Sequence, residues 1–331
     1  MKRLGLIFLV LIVHFTSIAQ LQAIGRSQHA ACFDSKKGEM LVFGGSKQYN
    51  KEDTTEKADN KLWAWNNGEW KILSESGPTW REDAKMVYHE MYNKTYLLGG
   101  RNYDANGKAI VLNEFWEWND NTWRLISNSN PMGKRLHTNM IYDSERNRIV
   151  LFGGVDIEKG FTNDIWEWDG KDWTKINTVN APTRRIAHSM TYSKYLNKTI
   201  IAGGVSDKDE KLMDLWTWDG KQCAKINTKM PAIEPGSGNI VSYGRDILIF
   251  GRPLKAEENA KNGSTWLYDG KNWKKINPLI APSVRENHIM VYDIQKNKVL
   301  LFGGNGREEV NFENDDDVWE WEKNKWKNVN K

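Results

Sequence analysis

The sequence has little of what a helical or redox protein needs. Among 331 residues there are only 2 Cys and 8 Pro, and apolar residues make up only 39%. This scarcity, beside 27 Gly and 17 Trp, argues against a helical bundle or a doubly wound α/β enzyme. It favours many short strands between tight turns. The formal net charge is only +4, so the chain lacks the field that nucleic acid or an anionic membrane would require.

The common catalytic motifs are also missing. The sequence has no Gly-x-Ser-x-Gly elbow, no His-Glu-x-x-His, no glycine-rich phosphate loop and no Cys-x-x-Cys. The acidic run Asp315-Asp316-Asp317 lacks the glycine-spaced ligands of a calcium loop, so a solvated run is the simpler interpretation. We therefore expect no metal and no cofactor.

The N-terminus has the order of a secretory signal peptide. Lys2 and Arg3 precede an apolar stretch over residues 4–13, and the small-x-small tripeptide Ser17-Ile18-Ala19 follows. The apolar stretch is shorter than the ~20 residues that a membrane span needs. This order predicts a signal peptide over residues 1–19, a single mature domain over residues 20–331, and export to the periplasm or beyond. No other stretch is apolar enough to predict a span.

One unit of about fifty residues recurs six times. Its first mark is a glycine pair, found at Gly44-Gly45, Gly99-Gly100, Gly153-Gly154, Gly203-Gly204 and Gly303-Gly304, with a lone Gly251 in the fifth copy. Its second mark is an aromatic pair two residues apart, at Trp63/Trp65, Trp116/Trp118, Trp166/Trp168, Trp216/Trp218, Trp266/Tyr268 and Trp319/Trp321. A further Trp follows in every copy but the fourth, which has Cys223.

Four strands are predicted in each unit. In the third copy they are residues 138–142, 148–152, 164–168 and 172–176. The dipeptide Asp169-Gly170 between the last two strands predicts a two-residue type I′ hairpin. Four-stranded antiparallel units that repeat around an axis are the blades of a propeller. The sequence predicts an all-β, six-bladed propeller.

These motifs resemble the Kelch repeat. The best-preserved copy reads Arg285-Glu-Asn-His288-Ile-Met-Val-Tyr292-Asp293, then Leu300-Leu-Phe-Gly303-Gly304, then Val318-Trp-Glu-Trp321. The resemblance covers essentially the whole mature chain, and it implies a Kelch-type β-propeller with the first strand of each blade innermost. It does not imply one activity, since Kelch proteins include scaffolds, receptors and a few sugar enzymes.

The chain begins with a first strand and ends with a fourth. We therefore predict that blades 1 and 6 close the ring by packing face to face, without exchanging a strand. A single blade should not fold alone, because its three indoles must share their burial with neighbouring blades. Cys32 and Cys223 belong to blades on opposite sides of the ring, so no disulfide is expected. The copper site of galactose oxidase, which shares this propeller, is not expected either. It needs a Tyr–Cys crosslink with Tyr and His ligands near the axis, whereas Cys223 lies in an outermost strand and Cys32 lacks the matching ligands.

Arginine occupies one slot before the first strand in five copies, at Arg26, Arg81, Arg135, Arg185 and Arg285, and Gly236 takes that slot in the fifth copy. These arginines either tie blades together or surround the axial opening. In the second case they would bind an acidic ligand, because a guanidinium binds carboxylates bidentately. A histidine slot three residues later is interpreted as an interblade hydrogen bond rather than a metal site.

Three further residues are candidates for the site. Trp80 stands outside the repeat pattern beside Arg81, where an indole either stacks on a sugar or packs a loop. Glu82 and Glu286 follow arginines and offer carboxylates for acid–base work, although solvated charge pairs with those arginines are the default interpretation. The long polar loops after the glycine pairs lie at the same end of the propeller and are candidates for binding.

Two functions remain open. The first is a monomeric, exported, non-catalytic binding module for a protein or glycan, with Arg26, Trp80, Arg81, Arg135, Arg185 and Arg285 at the ligand. The second is a sugar-acid enzyme, a carbohydrate isomerase resembling N-acetylneuraminate epimerase, which is also a six-bladed Kelch protein. In it the arginines would hold the carboxylate, and Glu82 or Glu286 would transfer a proton.

Overall fold

The computed structural model describes residues 25–46, 59–236, 238–254, 261–306 and 316–330, and the regular secondary structure in these ranges is β-strand throughout. The predicted signal peptide lies outside the described residues. So do Asp315 and parts of the loops after the first, fifth and sixth glycine slots. The prediction of an all-β protein is confirmed.

Blades 1 to 3 are four-stranded antiparallel sheets, and each is built from one continuous segment. Blade 1 contains β1 (Ala30–Asp34), β2 (Glu39–Phe43), β3 (Leu62–Asn66) and β4 (Glu69–Ser74). Blade 2 contains β5 (Lys85–His89), β6 (Lys94–Leu98), β9 (Phe115–Asn119) and β10 (Thr122–Ser127), with a small hairpin of β7 (Arg101–Tyr103) and β8 (Ala109–Val111) between them. Blade 3 contains β12 (Asn139–Asp143), β13 (Arg148–Phe152), β16 (Ile165–Trp168) and β17 (Trp173–Ile176), beside a small sheet of β11 (Arg135–Leu136), β14 (Val155–Asp156) and β15 (Gly160–Phe161).

Blades 4 to 6 repeat this order. Blade 4 contains β19 (Ser189–Ser193), β20 (Lys198–Ala202), β22 (Leu215–Trp218) and β23 (Cys223–Ile226), beside the pair β18 (Arg185–Ile186) and β21 (Val205–Ser206). Blade 5 contains β24 (Asn239–Tyr243), β25 (Asp246–Gly251), β26 (Ser264–Tyr268) and β27 (Trp273–Ile276). Blade 6 contains β28 (Ile289–Asp293), β29 (Lys298–Phe302), β30 (Val318–Glu322) and β31 (Lys325–Asn328).

The innermost strands form a closed ring. Strand β1 contacts β5, β5 contacts β12, β12 contacts β19, β19 contacts β24, β24 contacts β28, and β28 contacts β1 again. The second strand of each blade is almost wholly buried, as in β2 and β13, because neighbouring blades cover both of its faces. The six predicted blades are therefore the six large sheets of the described chain.

Tryptophan rings join adjacent blades. One buried cluster combines Trp63, Trp65 and Trp70 of blade 1 with Phe302 and Val318 of blade 6. Another combines Tyr96 and Phe115 of blade 2 with Trp166 and Trp168 of blade 3. Each indole thus buries part of its surface against a neighbouring sheet. This arrangement explains why a chain with few aliphatic residues can build a large core.

Blades 1 and 6 meet face to face. Both sheets use only their own chain segment among the described residues, and Gly304 donates its main-chain N–H to the carbonyl of Arg26 at 2.9 Å across the seam. Strand β31 pairs only with β30 of its own blade in this part of the chain. The predicted closure without strand exchange agrees with this geometry.

The Asp-Gly hairpins differ from the prediction. Only Gly170 has a positive φ (104°), whereas a type I′ turn requires positive φ at both central residues. The Asp169 carboxylate accepts the main-chain N–H groups of Lys171 and Asp172, each at 2.9 Å, and so holds a turn centred one residue later. Blade 1 has the predicted type instead, with Asn67 (φ 52°) and Gly68 (φ 90°) both positive.

Candidate functional site

The five predicted arginines are buried. Their fractional exposure is 0% for Arg26, Arg81 and Arg185, 1% for Arg285 and 5% for Arg135. In each case Nη1 donates to the carbonyl of the first glycine in the same blade's glycine pair, at distances of 3.1 Å (Gly44), 3.1 Å (Gly99), 3.2 Å (Gly153), 2.8 Å (Gly203) and 3.1 Å (Gly303). The arginines thus fix the turns that end the second strands.

Each arginine also pairs with a carboxylate that accepts the indole N–H of the following Trp. These Arg–acid–Trp sets are Arg26–Asp59–Trp63, Arg81–Glu114–Trp116, Arg135–Asp164–Trp166, Arg185–Asp214–Trp216 and Arg285–Asp317–Trp319. Burial alone would raise the pKa of Asp214, but the hydrogen bond and charge of Arg185 lower it below its usual value. The sequence carries a signal for these sets that is absent from the prediction above, namely an acid two residues before Trp in four blades.

The arginines therefore do not surround the axial opening as one sequence interpretation expected. Their guanidinium groups are used by a glycine carbonyl and a carboxylate inside each blade, and none of the five lines the axial cavity described below. Asp317 belongs to one of these sets, so the acidic run that ends there is not simply a solvated surface.

Among its described residues, blade 5 lacks the arginine and the acid together. Ser264 stands two residues before Trp266, where four other blades have an acid. Gly236 does not occupy the arginine slot: its N–H donates to the carbonyl of Ala187 at 3.2 Å and its carbonyl accepts from Asn287 at 3.4 Å, contacts that belong to the residue two places later in other blades. The prediction that Gly236 occupies the arginine slot of blade 5 was therefore wrong by two residues. The paired loss supports a structural role for the arginines.

The histidine slot packs blades together. His29, His188 and His288 lie edge-on to Phe302, Phe152 and Phe250 of the preceding blade, with ring centroids 5.4, 5.2 and 5.4 Å apart. Burial, with the charge of the nearby arginine, lowers the pKa of each to about 3, so all three are neutral at physiological pH. The expected interblade contact is present. It combines this ring packing with backbone hydrogen bonding of His188 to Phe152 and of His288 to Phe250 in the preceding blades.

A collar of interblade hydrogen bonds surrounds the axial opening on the face that carries the glycine pairs, which we call the glycine face. Asp83 N–H donates to the Gln28 carbonyl at 2.9 Å, Asn287 N–H to Gly236, and Gln28 N–H to Asn287 at 3.3 Å across the seam. The non-glycine collar residues adopt positive φ, at 54° for Gln28 and 55° for Asp83. L-residues adopt this conformation at a cost of about 1–2 kcal/mol, which the links between blades offset.

The collar is chemically asymmetric. At the junction of blades 2 and 3 the acceptor is a side chain: Oδ2 of Asp83 accepts the main-chain N–H of His137 at 2.5 Å. The same carboxylate accepts from Lys85 Nζ at 2.8 Å and lies 3.4 Å from His137 Nδ1. Burial would raise the pKa of Asp83, but the charges of Lys85 and His137 lower it. On the opposite side, the described collar residues of blades 4 and 5 that line the opening, Ala187, Gly236 and Gly238, are small and uncharged.

This polar cluster opens into an axial cavity of about 560 Å³, which is within the usual size range of ligand pockets. Asp83, Lys85 and His137 line the cavity together with four carboxamides, those of Gln28, Asn139, Asn239 and Asn287. At the other end, Lys194 of blade 4 contacts Glu90 of blade 2 at 3.0 Å. This bridge joins two blades that are not neighbours, so it crosses the far mouth of the cavity.

The carboxylates predicted for acid–base work are both engaged. Glu82 is 8% exposed and accepts from Ser46, from Arg101 Nε at 3.1 Å and from Tyr103 at 3.2 Å. Glu286 is paired with Arg252 at 3.4 Å. Neither residue lines the axial cavity. The structure brings Asp83, Lys85 and His137 together instead, and no spacing in the sequence marked them.

Trp80 packs a loop in this structure. Its indole N–H donates to the Gly45 carbonyl at 2.5 Å, and its ring stacks on Tyr103 with centroids 6.1 Å apart. Arg101, in the same small hairpin, donates from Nη2 to Oε1 of Gln28 at 3.2 Å. Trp80 therefore holds the β7–β8 hairpin beside the collar.

Within the described residues no group of three His, Cys, Asp or Glu side chains is arranged to hold a metal. Cys32 and Cys223 are free, buried thiols, and burial raises the pKa of Cys223 to about 12. In the same part of the chain, no helix is long and apolar enough to cross a bilayer.

A family model described as the KLHDC2/KLHL20/DRC7 Kelch-repeats domain matches residues 91–278, which is more than half of the chain. The protein belongs to the Kelch-repeat family. A solved structure titled "Structure of YjhT" is 13% identical, covers 93% of this chain and 99% of its own, and has a TM-score of 0.71. At that identity the similarity shows the Kelch propeller fold alone. No curated protein matches the chain.

Proposed function

We propose that this Kelch propeller is a non-catalytic binding module for an acidic glycan, which it holds in the axial cavity. The single observation that carries the proposal is the Asp83–Lys85–His137 cluster on one side of a cavity whose collar is small on the other side, at Ala187, Gly236 and Gly238. A sugar ring can lie against the small residues and present its carboxylate to the Lys85 ammonium group. A charge-assisted hydrogen bond of this kind contributes about 1.5–3 kcal/mol.

The rest of the lining supports a sugar better than a protein ligand. The carboxamides of Gln28, Asn139, Asn239 and Asn287 provide donors and acceptors suited to hydroxyl groups. The cavity is enclosed by six blades, which suits a small group more than a flat protein surface. A folded protein would contact the loops of the glycine face instead, as other Kelch scaffolds can.

The test measures binding to the mature chain by calorimetry. N-acetylneuraminate and glucuronate serve as acidic probes, and galactose serves as a neutral one. Acidic probes should bind, and Lys85→Gln should weaken their binding about tenfold or more. The control is Lys171→Gln, because the Lys171 side chain is 88% exposed on an outer turn. Binding of a protein in pull-downs with no binding of any sugar would replace this proposal with the protein-ligand alternative.

A second function, mutarotation of a carboxylated sugar, is favoured by the contact between His137 Nδ1 and Asp83. His137 would accept the proton of the anomeric hydroxyl and deliver it to the ring oxygen as the bond between that oxygen and the anomeric carbon breaks, and the reverse transfer would close the ring again. Proton NMR of N-acetylneuraminate anomer exchange tests this idea. Exchange no faster than in buffer, or acceleration that survives His137→Gln, would reject it.

The proposal includes export of the monomeric propeller to the periplasm or the extracellular space, on the strength of the N-terminal sequence pattern. Mass spectrometry of the protein recovered from the expressing cells tests it. A mature N-terminus at Gln20 is expected. A protein that retains residues 1–19 in the cytoplasm would contradict it.

A further inference from the structure

His137 is chemically unlike the other histidines of the chain. Of the six histidines, one lies in the predicted signal peptide and four are buried in the blades, namely His29, His89, His188 and His288. The remaining side chain, that of His137, is 40% exposed and lines the axial cavity. Within the mature chain it is therefore the histidine that can exchange a proton with solvent at the ligand site.

The surroundings of His137 couple its charge to the collar. The Asp83 carboxylate accepts the main-chain N–H of His137. It also lies 3.4 Å from Nδ1 of the His137 ring. The other charges that act on the ring are Lys85, which shares the Asp83 carboxylate, and Arg101 of the small hairpin, which is itself paired with Glu82. From blade 4, the neighbouring collar residue is the uncharged Ala187. Two carboxylates, those of Asp83 and Glu82, thus face three cations when His137 is protonated.

We propose that His137 makes the axial site pH-responsive, so that an anionic ligand binds more tightly as the solution becomes more acidic. This inference rests on the proposed function, since it concerns the same site. Protonation of His137 adds one positive charge at the cavity wall beside the Lys85 ammonium group. A unit charge a few ångströms from a carboxylate in a partly solvated site strengthens binding by about tenfold.

The direction of the response follows from the charges present. Burial, with Lys85 and Arg101, lowers the pKa of His137 below its ordinary value of 6.5, and Asp83 opposes this. His137 is therefore neutral at physiological pH and gains its proton as the pH falls below its ordinary pKa. The buried histidines do not interfere, because the pKa of each of the other four is about 3 or about 4.

Linkage requires a reciprocal effect on His137 itself. If its protonation strengthens anion binding, then a bound anion must raise the pKa of His137 by the same free energy. A tenfold change in affinity corresponds to a shift of about one pH unit in the titration midpoint. The effect is visible in the imidazole proton resonances, and it does not depend on catalysis.

The experiment measures binding of N-acetylneuraminate by calorimetry at about pH 8 and about pH 5, and follows the His137 resonance by NMR with and without the probe. Wild type should bind about tenfold more tightly at the lower pH, with a higher midpoint in the presence of the probe. His137→Gln should bind with an affinity that does not change over this range. Lys85→Gln should bind more weakly at both values and keep the pH dependence.

The outcomes separate the two proposals. Binding that is equal at both pH values, or a pH dependence retained by His137→Gln, overturns the role of His137 and leaves the binding function intact. Absence of binding at both values overturns the proposed function and this inference with it. A folding control is the NMR spectrum of His137→Gln, whose buried indole resonances should match those of wild type.

Discussion

The imidazole of His29 in blade 1 lies edge-on to the ring of Phe302 in blade 6, with centroids 5.4 Å apart and planes at 68°. The same contact joins blade 4 to blade 3 and blade 6 to blade 5. The seam where the two ends of the chain meet is therefore built like an internal interface. This contact, the collar and the shared indole cluster hold the two sheets together, and among the described residues neither sheet contains a strand from the other blade.

Phe302→Ala tests the strength of this seam. Phe302 is fully buried and packs on Trp70 of blade 1 at 4.8 Å, so its removal should destabilise the protein by about 3–5 kcal/mol. Urea denaturation followed by tryptophan fluorescence measures the change. Leu279→Ala is the control, because Leu279 is completely exposed and its loss should cost less than about 0.5 kcal/mol. A similar small effect of both changes would contradict the seam described here.

Acid should destabilise the propeller through its buried histidines. The pKa of His29, His188 and His288 is about 3 in the folded protein and about 6.5 in the unfolded chain. The unfolded chain therefore binds more protons between these values, so the stability is complete above about pH 6.5 and falls as the pH is lowered. Each histidine contributes up to about 1.4 kcal/mol per pH unit.

Denaturation at several values between about pH 7.5 and about pH 4.5 measures this loss before most carboxylates titrate. His288→Gln should lower the stability at neutral pH and flatten its pH dependence. The exposed His137→Gln should leave most of the dependence in place. If the stability of His288→Gln depended on pH as steeply as that of wild type, His288 would not be a buried, neutral side chain in the folded protein.

The Arg–acid–Trp sets predict a contrast between two adjacent arginines. Arg185 is fully buried and paired with Asp214 at 2.6 Å, so Arg185→Met should cost about 3–5 kcal/mol by leaving a carboxylate without its counter-charge. Arg184, with 55% of its side chain exposed, makes a surface pair with Asp207, and Arg184→Met should cost less than about 1 kcal/mol.

A double-mutant cycle completes this test. Arg185→Met with Asp214→Asn should be less destabilising than the sum of the single changes by about 0.5–3 kcal/mol, because the two side chains interact directly. Strict additivity in thermal or urea unfolding would argue against a coupled set. If Arg185→Met lost glycan binding but kept its stability, the result would support the alternative in which Arg185 contacts the ligand.

Two glycines with similar backbone angles should respond differently to alanine. Gly154 (φ 93°) lies against blade 3's own collar segment, and a Cβ there would meet the Leu136 carbonyl oxygen at 2.7 Å. Gly160 (φ 79°) faces open space. Gly160→Ala should cost about 1–2 kcal/mol from the left-handed backbone alone, and Gly154→Ala should cost more because it adds a steric clash. Equal midpoints of thermal unfolding would contradict this contact.

Much of the fold could be predicted because each repeat contains, within its own residues, the pattern that specifies one blade. Strand alternation, the glycine pairs and the recurring Trp slots specify each blade within about fifty residues. The Arg–acid–Trp sets were also present as a recurring acid two residues before Trp, and only the arginine half was recognised. The register error at Gly236 arose where blade 5 departs from the repeat, so that aligned sequence and aligned structure differ.

The candidate site could not be predicted in the same way. Asp83, Lys85 and His137 belong to two different copies, and no spacing within one copy relates them. In addition, the residues with the most suggestive chemistry, the five arginines, are buried by contacts with their own blades. The sequence alone does not show whether an arginine faces a ligand or a glycine carbonyl, because its burial depends on strands that are packed against it in the folded protein.

The sequence by itself determined the all-β fold class, the number of repeats and the packing role of tryptophan between blades. These follow from the pattern of side chains within each repeat. Only the tertiary structure decided which polar groups face the axis. The ring places the collar residues of different blades around one cavity, and residues more than fifty positions apart, such as Asp83 and His137, become neighbours there. That proximity is a property of closure, which no single blade contains.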